Sequence, residues 1–111
     1  MEIAQKTVEV ASEKQASDIV ILDARGVCSF TDYFVICSGD SARQLQSIYD
    51  EVEHVLKRQG VLPNHFEGTM DSGWLLLDYG DVIVNIFSPT EREFYKLDKM
   101  WSAAKPVLRI Q

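Results

Sequence analysis

The sequence is poor in cysteine and histidine, with two of each in 111 residues. Cys28 and Cys37 form no Cys-x-x-Cys pair, and neither His54 nor His65 has a second ligand at metal spacing. Cys37 lies inside an apolar run, where a free thiol usually acts as a small hydrophobic side chain. We therefore expect no zinc centre, no other metal site and no cofactor.

Long apolar runs are also missing, because none approaches the roughly 20 residues needed to cross a bilayer. The first ten residues carry two acids and one lysine without a long apolar block, which resembles neither a signal nor a transit peptide. We expect a single domain over residues 1–111 that is large enough to bury a core without disulfides or a structural metal. We also expect it to lie in the cytoplasm, with no membrane contact.

Basic residues are outnumbered, with 11 lysines and arginines against 17 acids and a net charge of -6. Nucleic-acid binding depends largely on basic side chains that neutralise phosphates. An acidic surface is better suited to a basic partner, since complementary charge guides association and sets the binding register. The composition therefore favours a basic protein partner over direct contact with nucleic acid.

Apolar periodicity in the first half of the chain predicts two helices and two strands. The first helix covers residues 2 to about 16, and strands follow at residues 19–22, buried on both faces, and at residues 33–38. Their short connection allows antiparallel pairing. Ser41 and Gln44 then form a capping box that opens the second helix, and Gly60 ends it.

The second half begins with a predicted loop at residues 61–72, followed by a hairpin of residues 73–78 and 82–87 around Asp78-Tyr79-Gly80-Asp81. Ser88 caps a third helix, with Glu91 expected to close a second capping box. The order is α-β-β-α-β-β-α. We expect an α+β fold, a small mixed sheet flanked by helices.

The stretch TDYFVICSGDSARQ at residues 31–44 is built like a phosphate-binding loop, a strand followed by a glycine turn and a capped helix. A nucleotidyltransferase using the Gly39–Ser41 turn would also need two convergent carboxylates for metal ions. Asp78 and Asp81 are separated by a turn, and no suitable pair lies on a predicted strand. Because the loop fits a phosphate site but the carboxylates are missing, nucleotide binding or transfer is kept only as the alternative hypothesis. Arg43, in the first turn of the helix, either reaches Asp40 or Glu67 with a flexible side chain or forms a fixed pair that shapes a surface, and we favour the flexible side chain.

A candidate docking surface lies on the hairpin and the third helix. Strand alternation places Trp74, Leu76 and Asp78 on one face of the sheet. Tryptophan, tyrosine and arginine dominate interface energies, and nearby acids would select a basic partner. We predict that the partner-binding residues are Trp74, Leu76, Asp78, Asp81, Arg92 and Tyr95. The competing interpretation is that Trp74 packs under the third helix as part of the core.

Taken together, several segments resemble the ribosomal silencing factor family, also called the Iojap family. The resemblance covers nearly the whole chain, and its most specific parts are DYFVI at residues 32–36 and LDYGDV at residues 77–82. Further matching positions are Asp18, Ile19, Leu22, Asp23, Ser41, Arg43, Gln44, Glu67, Gly68, Trp74, Phe87, Arg92, Tyr95, Lys96, Leu97 and Trp101.

The resemblance implies a translation repressor without enzymatic activity. Such a protein binds the large ribosomal subunit through the subunit's protein number fourteen and prevents the small subunit from joining, silencing ribosomes when nutrients are scarce. The resemblance also implies a nucleotidyltransferase-like fold that lacks the catalytic carboxylates. The family's usual histidine near the end of the fourth strand is Asn85 here. In the absence of the ribosome, we expect that the apolar docking patch can pair with a second copy.

Overall fold

The computed structural model describes residues 1–26, 28–95 and 105–110, which form a six-stranded mixed sheet with helices. The strand order across the sheet is β3-β4-β5-β2-β1-β6. The helices are α1 (Glu2–Glu13), α2 (Ala42–Arg58) and α3 (Pro89–Tyr95). The strands are β1 (Ser17–Asp23), β2 (Tyr33–Ser38), β3 (His65–Glu67), β4 (Trp74–Asp78), β5 (Val82–Phe87) and β6 (Lys105–Ile110).

The predicted fold class and strand pairings are confirmed. β1 and β2 are antiparallel, β4 and β5 form the expected antiparallel hairpin, and β2 and β5 are parallel, which makes the sheet mixed. In the described part of the chain, no helix is long and apolar enough to cross a membrane.

Two edge strands were not predicted. β3 and a short 3-10 helix (Met70–Ser72) lie inside the stretch predicted as a loop, and β6 follows the third helix. β3 has only three residues, all exposed, so it shows no alternation of buried and exposed side chains. β6 begins with Lys105 and Pro106, residue types that disfavour a central strand but suit a sheet edge.

The first face of the sheet packs against α1 and α2. We define it by the buried strand residues Ile19, Ile21, Tyr33, Val35, Cys37, Leu75, Leu77, Val84 and Ile86. α2 covers it with the stripe predicted from its periodicity, in which Leu45, Ile48, Val52 and Leu56 are buried. Cys37 is wholly buried, and this burial raises the pKa of its thiol to about 12, although the charge of Arg92 acts in the opposite direction.

The second face carries a smaller apolar cluster. We define it by the buried residues Val20, Leu22, Phe34, Ile36, Ile83 and Phe87, with Trp74 and Leu76 partly buried against them. Asn85 is also buried, on the same side of β5 as Ile83 and Phe87. This face therefore contains the tryptophan of the predicted docking surface.

The cap of α2 differs in detail from the predicted box. The Ser41 hydroxyl accepts from the Gln44 N–H at 3.1 Å, as expected. The Gln44 side-chain oxygen accepts from the Asp40 N–H rather than from that of Ser41, and its amide group donates to the carbonyls of Lys14 and Gln15. Gln44 thus joins the start of α2 to the end of α1.

The cap of α3 is only half of the predicted box. The Ser88 hydroxyl accepts from the Glu91 N–H at 3.2 Å, which confirms Ser88 as the cap. The Ser88 N–H donates instead to the carbonyl of Gly73, so it is not available to the Glu91 side chain. Closure of the box by Glu91 was therefore a wrong prediction, because a contact distant in sequence supplies the acceptor.

Candidate docking surface

Strand β4 presents its side chains alternately to the two faces, as predicted. Leu75 and Leu77 are buried on the first face, whereas Trp74, Leu76 and Asp78 are partly exposed on the opposite side. Both neighbours of β4 are antiparallel to it, and the pairing places Trp74 opposite Phe87 and Leu76 opposite Asn85. The tight hairpin therefore brings the predicted β4 residues onto one surface.

Trp74 is held in place by two contacts with β5. Its ring stacks on Phe87 with centroids 5.1 Å apart and an interplanar angle of 27°. Its indole N–H donates to the Asn85 side-chain oxygen at 3.1 Å. The ring belongs partly to the apolar cluster, as the core interpretation expects, and yet keeps exposed area. Trp74 is thus a fixed aromatic side chain at the surface.

A small cavity of about 140 Å³ lies beside Trp74, and β3 and the following turn build one wall of it. The residues that line it are Glu67, Gly68, Ser72, Trp74 and Leu76. A Cβ atom on Gly68 would lie 2.0 Å from the Trp74 carbonyl oxygen, and its φ is +93°, so this close approach requires glycine. Glu67 and Ser72 were not predicted as site residues, because their segment was interpreted as a loop.

The two aspartates of the hairpin have different surroundings. A carboxylate oxygen of Asp78 accepts from the Gly80 N–H at 2.8 Å and so stabilises the turn. The backbone carbonyl of Asp81 accepts from the N–H groups of Asp32 and Tyr33, while its side chain is exposed. Asp81 is consequently the more available carboxylate for a partner.

Arg92 bonds within the fold. Its guanidinium donates to the Asp18 carbonyl of β1 and to the Ser38 hydroxyl of β2, at 3.0 Å for the latter. Arg92 therefore fixes α3 to the ends of two strands. Tyr95 is the last residue of α3, and its docking role stays a prediction. Trp101 lies outside the described residues.

The Gly39–Ser41 turn uses two of its amide donors within the fold. The Gly39 N–H donates to the Phe87 carbonyl and the Asp40 N–H to the Gln44 side chain, while Ser41 caps α2. A phosphate would have to displace these partners or rely on the remaining amides. This geometry gives little support to the nucleotide-binding alternative.

The remaining candidate residues form no metal site in the described ranges. His65 lies on the edge strand β3 and pairs with Glu67 at 2.8 Å, and His54 is exposed on α2. No group of three or more His, Cys, Asp or Glu side chains that could hold a metal occurs among the described residues. Arg43 forms no ion pair with Asp40 or Glu67 and projects from the exposed side of α2, so the pairing predicted for it was wrong.

Comparison with known proteins agrees with the fold and extends over the chain. The family model described as ribosomal silencing factor during starvation matches residues 1–111. The ribosomal silencing factor RsfS of Halalkalibacterium halodurans is 37% identical over 96% of this chain and 91% of its own. A mouse protein named mitochondrial assembly of ribosomal large subunit protein 1 is 30% identical over 86% of this chain and 43% of its own.

A crystal structure from Chromobacterium violaceum superposes with a TM-score of 0.87 at 30% identity, covering 99% of this chain and 92% of that one. The same sheet and helices are thus found in an experimental structure of a sequence relative. The family model matches residues 1–111, and the structural relative shares the fold. The chain therefore belongs to the ribosomal silencing factor family.

Proposed function

We propose that the protein represses translation in the cytoplasm by binding the large ribosomal subunit and preventing the small subunit from joining when nutrients are scarce. The proposed contact is the large-subunit protein number fourteen. Membership of the silencing factor family supports this role, as does the name of the mouse relative, which refers to the large subunit. The observation that carries the proposal is Trp74, partly exposed and fixed by β5 beside a cavity.

In this proposal, Trp74 and Leu76 provide the apolar anchor. A cavity of about 140 Å³ has the volume of one side chain, so a partner residue can enter beside the indole ring. Burial of a fixed ring costs less conformational entropy than burial of a mobile one. The anchor would therefore supply most of the binding free energy.

The acids at the hairpin end would select the partner. Asp81 is exposed, and Asp78 is partly exposed on the same side of β4 as the anchor. A protein with a net charge of -6 is attracted to the basic surface typical of ribosomal proteins rather than to bare phosphates. Steric blocking of subunit joining needs no catalytic residues, so we propose a binding protein rather than an enzyme.

Co-sedimentation with purified large subunits, together with a subunit-joining assay, tests the proposal. Trp74→Ala should reduce binding about 30-fold, corresponding to a hot-spot loss of about 2 kcal/mol, and should restore subunit joining. Leu62→Ala is the control, because Leu62 is an exposed apolar residue that does not belong to the proposed surface. Equal binding by the wild type and Trp74→Ala would exclude Trp74 as the anchor.

Calorimetry with nucleotide and Mg²⁺ tests the nucleotidyltransferase alternative. We expect no binding, because donors of the Gly39–Ser41 turn are already engaged. Nucleotide binding in a protein that does not co-sediment with large subunits would reverse the order of the two hypotheses.

We also propose that the free protein can form a homodimer through the same apolar surface. The exposed part of Trp74 and Leu76 would then be covered by a second copy until the ribosome replaces it. Sedimentation equilibrium over a range of concentrations should show dimers of the wild type and weaker self-association of Trp74→Ala. Equal self-association of both proteins would place the dimer contact elsewhere.

A further inference from the structure

Asn85 is a polar residue at a buried position of the sheet where apolar residues surround it. It lies in the middle of β5, is 1% exposed, and shares the second face with Ile83 and Phe87. A buried amide is unfavourable unless its polar atoms find partners, whereas a leucine there would only add apolar contact. Packing alone therefore does not account for asparagine at this position.

Among the described residues, the side chain of Asn85 forms its hydrogen bond with Trp74. Its side-chain oxygen accepts from the indole N–H at 3.1 Å, and Phe87 stacks on the same ring at 5.1 Å. Stacking restricts the plane of the ring but lets it slide and rotate within that plane. The hydrogen bond restricts this remaining rotation, so the two contacts together define one orientation of the indole.

The other end of the amide is not used in the same way. The Asn85 side-chain nitrogen is buried and has no hydrogen-bond partner among the described residues. A side chain selected for stability would be expected to satisfy both ends, because an unpaired buried donor lowers stability. Within the part of the chain that the structure describes, Asn85 thus leaves one end of its amide unpaired and restrains Trp74 with the other.

We propose that Asn85 is a positioning residue that orients Trp74 for docking on the large ribosomal subunit. This inference rests on the proposed function and adds a residue that does not itself touch the partner. Its effect is preorganisation: a ring already held in its bound orientation loses less freedom on binding. Loss of this restraint should weaken binding about three- to tenfold, mainly through faster dissociation.

Asn85→Leu is the decisive variant, because it removes the acceptor and keeps a similar volume. We expect weaker large-subunit binding together with a nearly unchanged denaturation midpoint, because removal of the Asn85 donor that has no partner among the described residues offsets the loss of the acceptor for the partly exposed indole N–H. A merely structural asparagine predicts the opposite result, a lower midpoint with unchanged binding by the folded protein. That result would overturn the proposal.

A double-mutant cycle tests whether Asn85 acts through Trp74. In the Trp74→Ala background, Asn85→Leu should cause no further loss of binding, and an undiminished loss there would refute the positioning role. In the wild-type background, Asn85→His keeps a ring nitrogen that can accept from the indole N–H. This variant should therefore bind large subunits within about twofold of wild type, unlike Asn85→Leu. Binding as weak as that of Asn85→Leu, in a folded protein, would also count against the inference.

A spectroscopic measurement needs no ribosome. The NMR signal of the Trp74 indole N–H can be assigned by its loss in Trp74→Phe. This N–H should exchange faster with solvent deuterium in Asn85→Leu than in the wild type. Unchanged exchange would mean that Asn85 does not restrain the ring.

The binding measurements separate failure of the two proposals. If Trp74→Ala binds subunits normally, the proposed docking surface fails, whereas normal binding by Asn85→Leu alone removes only the positioning role.

Discussion

The two faces of strand β4 differ sharply although their residues alternate along five positions. Leu75 and Leu77 are at most 2% exposed on the first face, under the helices, whereas Trp74 and Leu76 remain partly exposed on the second. Apolar area that is removed from water contributes to folding, and apolar area left exposed can contribute to binding. We therefore propose that one face of β4 mainly stabilises the fold and that the other serves recognition.

Neighbouring leucines provide the largest expected contrast between these faces. Leu77→Ala should reduce the free energy of unfolding by about 2–5 kcal/mol, because it leaves a cavity in a closed core. Leu76→Ala should cost about 1 kcal/mol of stability, since its side chain is only partly buried. Urea denaturation measures both values.

Binding to large subunits should show the reverse order for the same two variants. Leu76→Ala should weaken binding, while Leu77→Ala, assayed where it is still folded, should bind normally. Similar effects of both substitutions on stability and on binding would contradict the division of roles between the faces.

The docking role of Arg92 stays a prediction, and in the structure its guanidinium holds α3 to β1 and β2. Arg92→Gln should lower the free energy of unfolding by about 1.5–3 kcal/mol, the range for hydrogen bonds from a charged group. Arg43→Gln is the control, an exposed arginine expected to change stability by less than about 0.5 kcal/mol. A binding defect with wild-type stability would instead assign Arg92 to docking.

Cys37 makes the first face sensitive to high pH. An unfolded thiol loses its proton near pH 9.0, whereas burial raises the pKa of Cys37 to about 12. Between these values the unfolded state binds fewer protons, so the stabilisation present below pH 9.0 is lost as the pH rises. We expect Cys37 to lower the free energy of unfolding by about 1 kcal/mol for each pH unit above pH 9.0.

Denaturation at several alkaline pH values checks this slope. Cys37→Ala should show a shallower loss of stability than the wild type, and Cys28→Ala, which keeps Cys37, should retain the contribution. If all three proteins lose stability in parallel, the buried thiol is not responsible.

Sequence patterns predicted the features that depend on local periodicity. The buried stripe of α2 and the alternation in β4 follow from spacing alone, and the Ser41 and Ser88 caps follow from residue type. The resemblance to a known family supplied the functional hypothesis that these patterns could not.

Features that depend on distant contacts were missed. β3 is too short and exposed to show a period, and its contribution to the cavity beside Trp74 depends on its pairing with β4. The guanidinium of Arg92 bonds to Asp18 and Ser38, which lie 74 and 54 positions earlier in the chain. No local sequence pattern indicates partners at such separations. Asn85 was noted only as a departure from the family, and its bond to Trp74 became visible only from the hairpin register.

The smallest expected effect concerns charge at the edge of the second face. Asp81→Lys should leave stability nearly unchanged, because its side chain is exposed and its backbone carbonyl, which accepts from the N–H groups of Asp32 and Tyr33, is kept. Association with large subunits should slow roughly threefold at low ionic strength, and the difference should shrink as salt screens the charges. Glu13→Lys makes the same charge change at an exposed position at the end of α1, so it separates an effect of position from one of net charge. Stopped-flow association over a salt series measures both, and equal slowing by the two variants would mean that the hairpin acids do not face the partner.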